Sequence, residues 1–302
     1  MLYNRLVGLG VALVTPFKND LSIDFEALSK LIDYQLDNNI NYLVVCGTTA
    51  ETPTLTGEEQ VKIARFVVEK VGGRIPVVLG ISGNNTAKVV EQIKKTDFTG
   101  IDAVLSVTPY YNKPSQEGLY QHFKAIVQST DMPVILYNVP GRTGTNMTAQ
   151  TTLRLANDFN NVIAIKEASG NFHQIDEIIK NKPENFMVIS GDDGITFPLI
   201  MLGAEGVISV IGNALPKEFG NMVRFALRGD LIGAREIHYR FTELIDLLFV
   251  DGSPAGVKSM LSVMGLIENN LRLPLVPTTL ATAEKIKHIL NEINKLDEKI
   301  LV

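Results

Sequence analysis

The stretch Asn161-Asn-Val-Ile-Ala-Ile-Lys-Glu-Ala-Ser-Gly170 carries the decisive pattern of the sequence. Its four apolar residues, Val162 to Ile165, lead directly into Lys166, and such a short β-branched run predicts a buried strand of a parallel sheet. Lysine is rarely buried, and burial there would favour the neutral, nucleophilic amine. Lys166 is therefore a candidate for a Schiff base with a carbonyl substrate. Alternatively, its side chain extends to solvent or pairs with Glu167.

Seven further runs of this kind alternate with amphipathic segments. The predicted strands are Leu9–Val14, Tyr42–Cys46, Pro76–Leu79, Ala103–Val107, Pro133–Tyr137, Val162–Lys166, Met187–Ser190 and Gly206–Val210. The predicted helices are Asp24–Asn38, Gly57–Val71, Thr86–Thr96, Gln116–Ser129, Thr148–Phe159, Phe172–Asn181, Asp192–Leu202 and Pro216–Leu227. In the second helix, an apolar face is predicted for Val61, Ala64, Val67, Val68 and Val71, with a capping box formed by Thr56 and Glu59.

Eight strands, each followed by a helix, predict an α/β protein with a (β/α)8 TIM barrel. A doubly wound open sheet gives a similar alternation, but Gly8-Leu-Gly10 lacks the third glycine of a dinucleotide fingerprint. Three more helices follow without strands, at Leu231–Phe249, Val257–Met264 and Thr279–Leu296. The expected domains are a catalytic barrel at residues 1–228 and a C-terminal three-helix extension at residues 229–302.

Composition narrows the functional classes. The 302 residues carry a net charge of −5 without a basic cluster, which argues against a nucleic-acid partner. The single cysteine, Cys46, can form no internal disulfide. No apolar run approaches the ~18 residues of a membrane span, and the N-terminus lacks the pattern of a signal peptide. A cytoplasmic protein that does not bind membranes is expected.

In a barrel, functional groups collect at the carboxyl ends of the strands. The polar residues predicted there are Thr48, Thr49, Tyr110, Tyr111, Tyr137, Arg142, Lys166, Asp192 and Asp193. Taken singly, the threonines could form a simple turn, the tyrosines could be packing aromatics, and Arg142 could be a surface charge. Asp192 and Asp193 are expected to cap the following helix. The four histidines show no metal-ligand spacing at a strand end, so a zinc-dependent aldolase is not favoured.

Taken together, the strand-end residues indicate carbonyl chemistry. Tyr137 ends the strand beside that of Lys166, and a phenol there can act as general acid and base for a Schiff base. The turn at Thr48 and Thr49 can pass a proton and hold a carboxylate with its N–H groups. Arg142 can bind a second carboxylate through two hydrogen bonds. The expected substrates are an α-keto acid, which becomes an enamine, and an aldehyde that carries an acid group.

Several motifs resemble one family. These are Gly47-Thr-Thr-Ala-Glu51, Thr108-Pro-Tyr-Tyr-Asn-Lys-Pro114, Tyr137-Asn-Val-Pro-Gly-Arg-Thr143, Ile165-Lys166 and Gly206-Val-Ile-Ser-Val210. From Gly8 to Pro277 the chain is similar to the 4-hydroxy-tetrahydrodipicolinate synthases, or dihydrodipicolinate synthases. This family belongs to the pyruvate-dependent class I aldolases, which include N-acetylneuraminate lyase. Thr48, Tyr111 and Arg142 discriminate best, because sialic acid lyases usually have serine for the first threonine and lack this arginine.

The resemblance implies a lyase that condenses pyruvate with L-aspartate 4-semialdehyde, in the first committed step of lysine biosynthesis through diaminopimelate. It implies that Lys166 forms the Schiff base, that Tyr137, Thr49 and a neighbouring subunit's copy of Tyr111 relay protons, and that Arg142 binds the semialdehyde carboxylate. Thr48 and Thr49 would contact the pyruvate carboxylate. Gly191 and Ile208 would line the pocket. It also implies a homotetramer built as a dimer of dimers, without a metal or an organic cofactor.

Two departures from the family pattern occur, and two alternatives stay open. Ala50 replaces a glycine common in its turn. Gly57, Gln60 and Lys88 align with the cleft that binds lysine in feedback-inhibited members, and a cationic Lys88 would repel the ligand's ammonium. Weak or absent lysine feedback is therefore expected. The alternatives are another pyruvate aldolase, such as an N-acetylneuraminate or 2-keto-3-deoxy sugar acid lyase, and a barrel that binds small acids without catalysis.

Overall fold

The computed structural model describes residues 2–300, and the side chains of residues 2–293. The strands are β1 (Gly8–Ala12), β2 (Tyr42–Val45), β3 (Val77–Gly80), β4 (Ala103–Val107), β5 (Val134–Asn138), β6 (Val162–Glu167), β7 (Met187–Ser190) and β8 (Gly206–Ser209). The helices are α1 (Leu2–Leu6), α2 (Phe25–Asp37), α3 (Gly57–Val71), α4 (Thr86–Lys95), α5 (Gln116–Val127), α6 (Pro140–Thr143), α7 (Ala149–Asp158), α8 (Phe172–Asn181), α9 (Thr196–Leu202), α10 (Pro216–Leu227), α11 (Leu231–Leu247), α12 (Ala255–Val263) and α13 (Leu280–Ile300).

The eight strands form a closed parallel barrel in sequence order, with β8 pairing back onto β1. The predicted (β/α)8 TIM barrel is thus confirmed. Closure brings two glycines together, because a Cβ on Gly206 would lie 2.1 Å from the carbonyl oxygen of Gly8. Gly206 also has a φ of +149°, which side chains rarely adopt. The β8–β1 seam therefore requires glycine at this position.

Two hydrophobic clusters result from the alternation of side chains along the strands. A small cluster fills the barrel interior and includes Tyr42, Ile135, Met187 and Ile208. The Tyr42 ring lies against Gly10, where a Cβ would come within 2.2 Å of it. The larger cluster lies between the strands and the surrounding helices. A barrel packed from both sides gives its strand ends a rigid base.

Local sequence signals define the starts of the outer helices. Seven helices begin with a side chain that accepts a hydrogen bond from the first turn, namely Asp24, Thr56, Asn85, Ser115, Thr148, Asn171 and Asp230. The capping box of Thr56 and Glu59 is confirmed. The sequence pattern does not predict the short helices α1 and α6, because one or two turns are too short to show a 3.6-residue period.

One predicted face is partly wrong. The buried side of α3 consists of Ile63, Val67 and Val71, whereas Val61 is 52% exposed. Val61, with Ala64 and Val68, faces a groove beside α4 instead. Apolar spacing alone fits both faces, and only packing on the barrel selects between them.

Helices α11, α12 and α13 follow the barrel without an intervening strand. Helix α11 packs on α10, and α13 contacts both α11 and α12. In the described part of the chain, no helix is both long and apolar enough to cross a membrane.

Candidate active site

A cavity of about 440 Å³ opens at the carboxyl ends of the strands. Its walls bring together five of the predicted strand-end residues, Thr48, Tyr110, Tyr137, Arg142 and Lys166. These side chains come from segments far apart in sequence, and the barrel places them around one space. We take this cavity as the candidate active site.

Lys166 and Tyr137 form the floor of the cavity. They are register partners on β6 and β5, and both are nearly buried, at 5% and 6% exposure. The Lys166 Nζ lies 4.2 Å from the centre of the Tyr137 ring. No described carboxylate lies within ion-pair distance of this amine. The amine is therefore held beside an aromatic ring, without a neutralising anion, facing the cavity.

The alternative pairing of Lys166 with Glu167 is wrong. Successive side chains of a strand point to opposite faces, so Glu167 lies on the outer side of the barrel. Its carboxylate accepts hydrogen bonds from Asn138 Nδ2 at 3.1 and 3.2 Å, from Gln174 Nε2 at 3.1 Å and from Ser169 N at 2.9 Å. Burial raises the pKa of Glu167. Asn138 follows Tyr137 and Glu167 follows Lys166, so these hydrogen bonds on the outer face hold the two catalytic candidates in register.

The turn after β2 is a short 3-10 helix, Thr48–Ala50. The Thr15 hydroxyl donates to the Ala50 carbonyl at 2.8 Å, and the Thr52 hydroxyl donates to the Gly47 carbonyl at 2.7 Å. Thr48 lines the cavity, while Thr49 is 5% exposed and is not among the described lining residues. The turn is thus fixed by hydroxyl groups on both sides, and Thr48 is its cavity-facing member.

Arg142 and Tyr111 lie at the rim. Arg142 belongs to the short helix α6, is exposed, and lines the cavity, so its surface position and a binding role are compatible. Tyr111 has a φ of +73° and is 90% exposed. Tyr110, and not Tyr111, lines the described cavity. Within one chain, the Tyr111 phenol therefore stands outside the site.

Gly191 and Ile208 occupy the two predicted lining positions. A Cβ on Gly191 would lie 2.9 Å from Lys166 Cε, so only glycine leaves room for the lysine stem. Ile208 is buried in the interior cluster that also contains Tyr137. Neither is among the residues that line the described cavity. Gly191 lies beside the Lys166 stem, and Ile208 shares the interior cluster with Tyr137.

The predicted caps after β7 are only half right. Asp192 accepts from Gly194 N at 3.0 Å and caps the following turn. Asp193 instead accepts from Val210 N and Ile211 N, at 2.9 and 2.8 Å, and so holds the end of β8. Burial raises the pKa of Asp193 to about 6. Local sequence could not show this contact, because its partners lie 17 and 18 residues away.

A second, larger groove of about 770 Å³ lies on the outer surface between α3 and α4. Its walls include Gly57, Gln60 and Lys88, the three residues aligned with a lysine-binding cleft. Gln60 also lines the 440 Å³ cavity. The two spaces therefore share a wall at the start of α3.

The closed barrel and a polar site with a buried lysine at its strand ends define a (β/α)8-barrel enzyme. A family model described as the dihydrodipicolinate synthetase family matches residues 5–293. The chain is 68% identical over 293 residues to a 4-hydroxy-tetrahydrodipicolinate synthase from Phocaeicola vulgatus, covering 97% of this chain and 99% of that protein. The protein belongs to the dihydrodipicolinate synthetase family.

Solved structures agree with this assignment. The dihydrodipicolinate synthase from Aquifex aeolicus superposes with a TM-score of 0.93 at 43% identity, covering 96% of this chain and 98% of that one. A chloride-inhibited dihydrodipicolinate synthase from Acinetobacter baumannii, complexed with pyruvate, gives a TM-score of 0.92 at 38% identity, covering 95% and 98%. The barrel and the added helices are therefore shared with enzymes of this family.

Proposed function

We propose that the protein is a 4-hydroxy-tetrahydrodipicolinate synthase that condenses pyruvate with L-aspartate 4-semialdehyde through a Schiff base on Lys166. Membership of the family supports the reaction. The observation that carries the assignment to Lys166 is its burial at a strand end, with Nζ over the Tyr137 ring and facing the cavity. An amine held in this way can attack a ketone without first leaving an ion pair.

The first half of the reaction uses Lys166 and Tyr137. The amine attacks the pyruvate carbonyl carbon and forms a carbinolamine, whose hydroxyl leaves as water once it receives a proton. Tyr137 is the acid for this step, and Thr49 and Tyr111 complete the proton relay. The Thr48–Thr49 turn holds the pyruvate carboxylate with its N–H and hydroxyl groups. Loss of a methyl proton then converts the Schiff base into an enamine.

In the second half, the enamine carbon attacks the aldehyde carbon of the semialdehyde, whose oxygen takes up a proton. The amino group of the semialdehyde then attacks the carbon of the Schiff base and displaces Lys166, which closes the ring and frees the enzyme. Arg142 at the rim holds the semialdehyde carboxylate by two charge-assisted hydrogen bonds. Gly191 and Ile208 shape the floor around the pyruvate carbon chain.

The proposal includes a homotetramer in which paired barrels are the functional unit. The exposed Tyr111, with its phenol outside its own cavity, supports a role in the site of a neighbouring copy. We also propose that residues 1–228 are the catalytic barrel and that residues 229–302 form the helical extension.

Borohydride trapping tests the proposal directly. Incubation with pyruvate and borohydride, followed by peptide mass analysis, should place one reduced adduct on Lys166, and the Lys166→Ala variant should form none. Lys182→Ala is a matched control, because Lys182 is a partly buried lysine at the opposite end of the barrel. If the wild-type enzyme forms no adduct at Lys166, the mechanism is refuted. Turnover with N-acetylmannosamine, but not with the semialdehyde, would favour the sialic acid lyase alternative.

A further inference from the structure

A buried ion pair links the helical extension to the barrel. Lys258 on α12 and Glu51, which follows the Thr48–Ala50 turn, are both fully buried, and Lys258 Nζ donates to Glu51 Oε1. Lys258 Nζ also donates to the Asn270 carbonyl at 2.8 Å, and Glu51 Oε2 accepts from Arg272 N at 3.0 Å. Two contacts, from Lys258 and from Arg272, therefore join Glu51 after β2 to residues 258–272.

A buried ion pair contributes little net free energy to the joining of two parts of a fold. Taking both charges out of water costs free energy that apolar side chains of similar size would not require. The loss of hydration on burial lowers the pKa of Lys258 to about 8. A buried pair does, however, fix geometry, because each charge tolerates only a narrow range of partner positions. Its role is better sought in positioning than in stability.

The group that this pair positions is the turn itself. Glu51 has a φ of +57°, a left-handed conformation that is uncommon for glutamate. Its N–H donates to the Thr48 carbonyl at 3.1 Å, which closes the turn. The same residue thus closes the Thr48–Ala50 helix with its backbone and receives Lys258 with its side chain.

We propose that Lys258 is a positioning residue for the Thr48–Thr49 turn and acts through its buried ion pair with Glu51. The inference rests on the proposed function, in which this turn holds the pyruvate carboxylate. The extension therefore takes part in pyruvate binding without touching the substrate. Removal of the pair should loosen the turn and weaken pyruvate binding, while the semialdehyde subsite at Arg142 is unaffected.

The structure offers a matched control at the other end of the barrel. Lys182 pairs with Glu205 at 2.6 Å, Lys182 Nζ also donates to the Phe186 carbonyl, and Glu205 accepts from Val188 N. This pair has the same charges as Lys258–Glu51, and each of its side chains likewise has one backbone contact. It is less buried, at 15% and 16% exposure, and Glu205 also accepts from the Tyr3 hydroxyl at 3.1 Å. It precedes β8, far along the chain from the Thr48–Thr49 turn.

The experiment compares Glu51→Gln/Lys258→Met with Glu205→Gln/Lys182→Met. Each double variant removes one ion pair and keeps an acceptor for the backbone N–H. The KM for pyruvate should rise about tenfold in the first variant and stay within twofold of wild type in the second, with the KM for the semialdehyde within twofold in both. Borohydride trapping at saturating pyruvate checks that Lys166 is intact in each. An unchanged pyruvate KM in the first variant, or an equal rise in both, would overturn the proposal.

If the first double variant does not fold, Glu51→Asp replaces it. This change keeps both charges but withdraws the carboxylate by one methylene, and it should raise the pyruvate KM in the same direction. A wild-type KM would then contradict the inference. Trapping with the wild-type enzyme distinguishes failure of the proposed function from failure of this inference. If wild type forms no adduct, the Schiff base on Lys166 is refuted. If it forms the adduct but the KM values of the variants are unchanged, only the positioning role of Lys258 is refuted.

Discussion

Tyr137 and Lys166 face each other across β5 and β6, with the lysine Nζ 4.2 Å from the centre of the tyrosine ring. The relationship follows from parallel register, which places the two residues opposite each other on the inner face of the barrel. On the outer face, the next residue pair, Asn138 and Glu167, is joined by hydrogen bonds of 3.1 and 3.2 Å. A shift of either strand by one residue would break both pairs, because one member of each pair would move to the opposite face, so the same register that builds the site also anchors it.

Removal of the Tyr137 hydroxyl should impair chemistry more than folding. Tyr137→Phe keeps the ring beside Lys166 but removes the hydroxyl that we propose as acid and base, so kcat should fall about 100-fold or more. The melting temperature should change little, because the ring fills the same space. Steady-state kinetics and a thermal melt provide the two measurements. Tyr120→Phe, on the outer helix α5, should retain wild-type kinetics. Equal activity of Tyr137→Phe and wild type would exclude Tyr137 from the relay.

Replacement of Arg142 should separate the two substrates. Arg142→Ala should raise the KM for the semialdehyde about 10- to 100-fold, which corresponds to the loss of charge-assisted hydrogen bonds. Arg142→Lys should recover only part of this loss, because lysine cannot form the bidentate contact. Initial rates with each substrate varied in turn measure the effect. A rise confined to the KM for pyruvate would show that Arg142 binds the other substrate.

A complementation experiment tests the proposed intersubunit role of Tyr111. Tyr111→Phe and Lys166→Ala should each have little activity alone. After the two are mixed and reassociated, half of the dimers are mixed and one of their two sites is intact, so about a quarter of the wild-type activity should return. Size-exclusion chromatography with differently tagged chains verifies that mixed dimers form. Mixed dimers without restored activity would place Tyr111 in the site of its own chain.

Asp193 predicts a pH dependence of stability. Burial raises its pKa from 3.8 to about 6, so the folded protein retains a proton that the unfolded chain releases in this interval. The contribution of Asp193 to the free energy of unfolding is therefore largest below pH 3.8 and declines as the pH rises to about 6. Relative to Asp193→Asn, wild type should lose up to about 3 kcal/mol of unfolding free energy between pH 4 and 7. Urea unfolding of both proteins at each pH measures this difference, and a constant difference would contradict the assignment.

The outer groove predicts weak feedback by lysine. Lys88 lines it together with Gly57 and Gln60, and a cationic side chain there repels the ammonium groups of free lysine. Steady-state rates should fall by less than half at about 1 mM lysine, and Lys88→Glu should increase the inhibition because it replaces repulsion with attraction. Strong inhibition of the wild-type enzyme at sub-millimolar lysine would refute this expectation.

Most of the fold could be predicted from the sequence, because strands and helices leave local periodic signals. The run from Val162 to Lys166 and the capping box at Thr56 show this. The side of α3 that packs inward could not be predicted, since its apolar residues fit two faces and only contact with the barrel selects one. The exposure of Val61 is the visible result.

The sequence by itself determined the eight-fold alternation of strands and helices and the position of Lys166, Tyr137, Thr48 and Arg142 at strand ends, because these depend on the order of residues within short segments. Only the tertiary structure decided the hydrogen-bond partners of Glu167, the bonds from Val210 and Ile211 to Asp193, and the ion pair of Lys258 with Glu51, 207 residues away. The physical reason is that burial and pairing of charges depend on which segments meet in space. A local sequence pattern contains no information on contacts between segments that are distant in the chain.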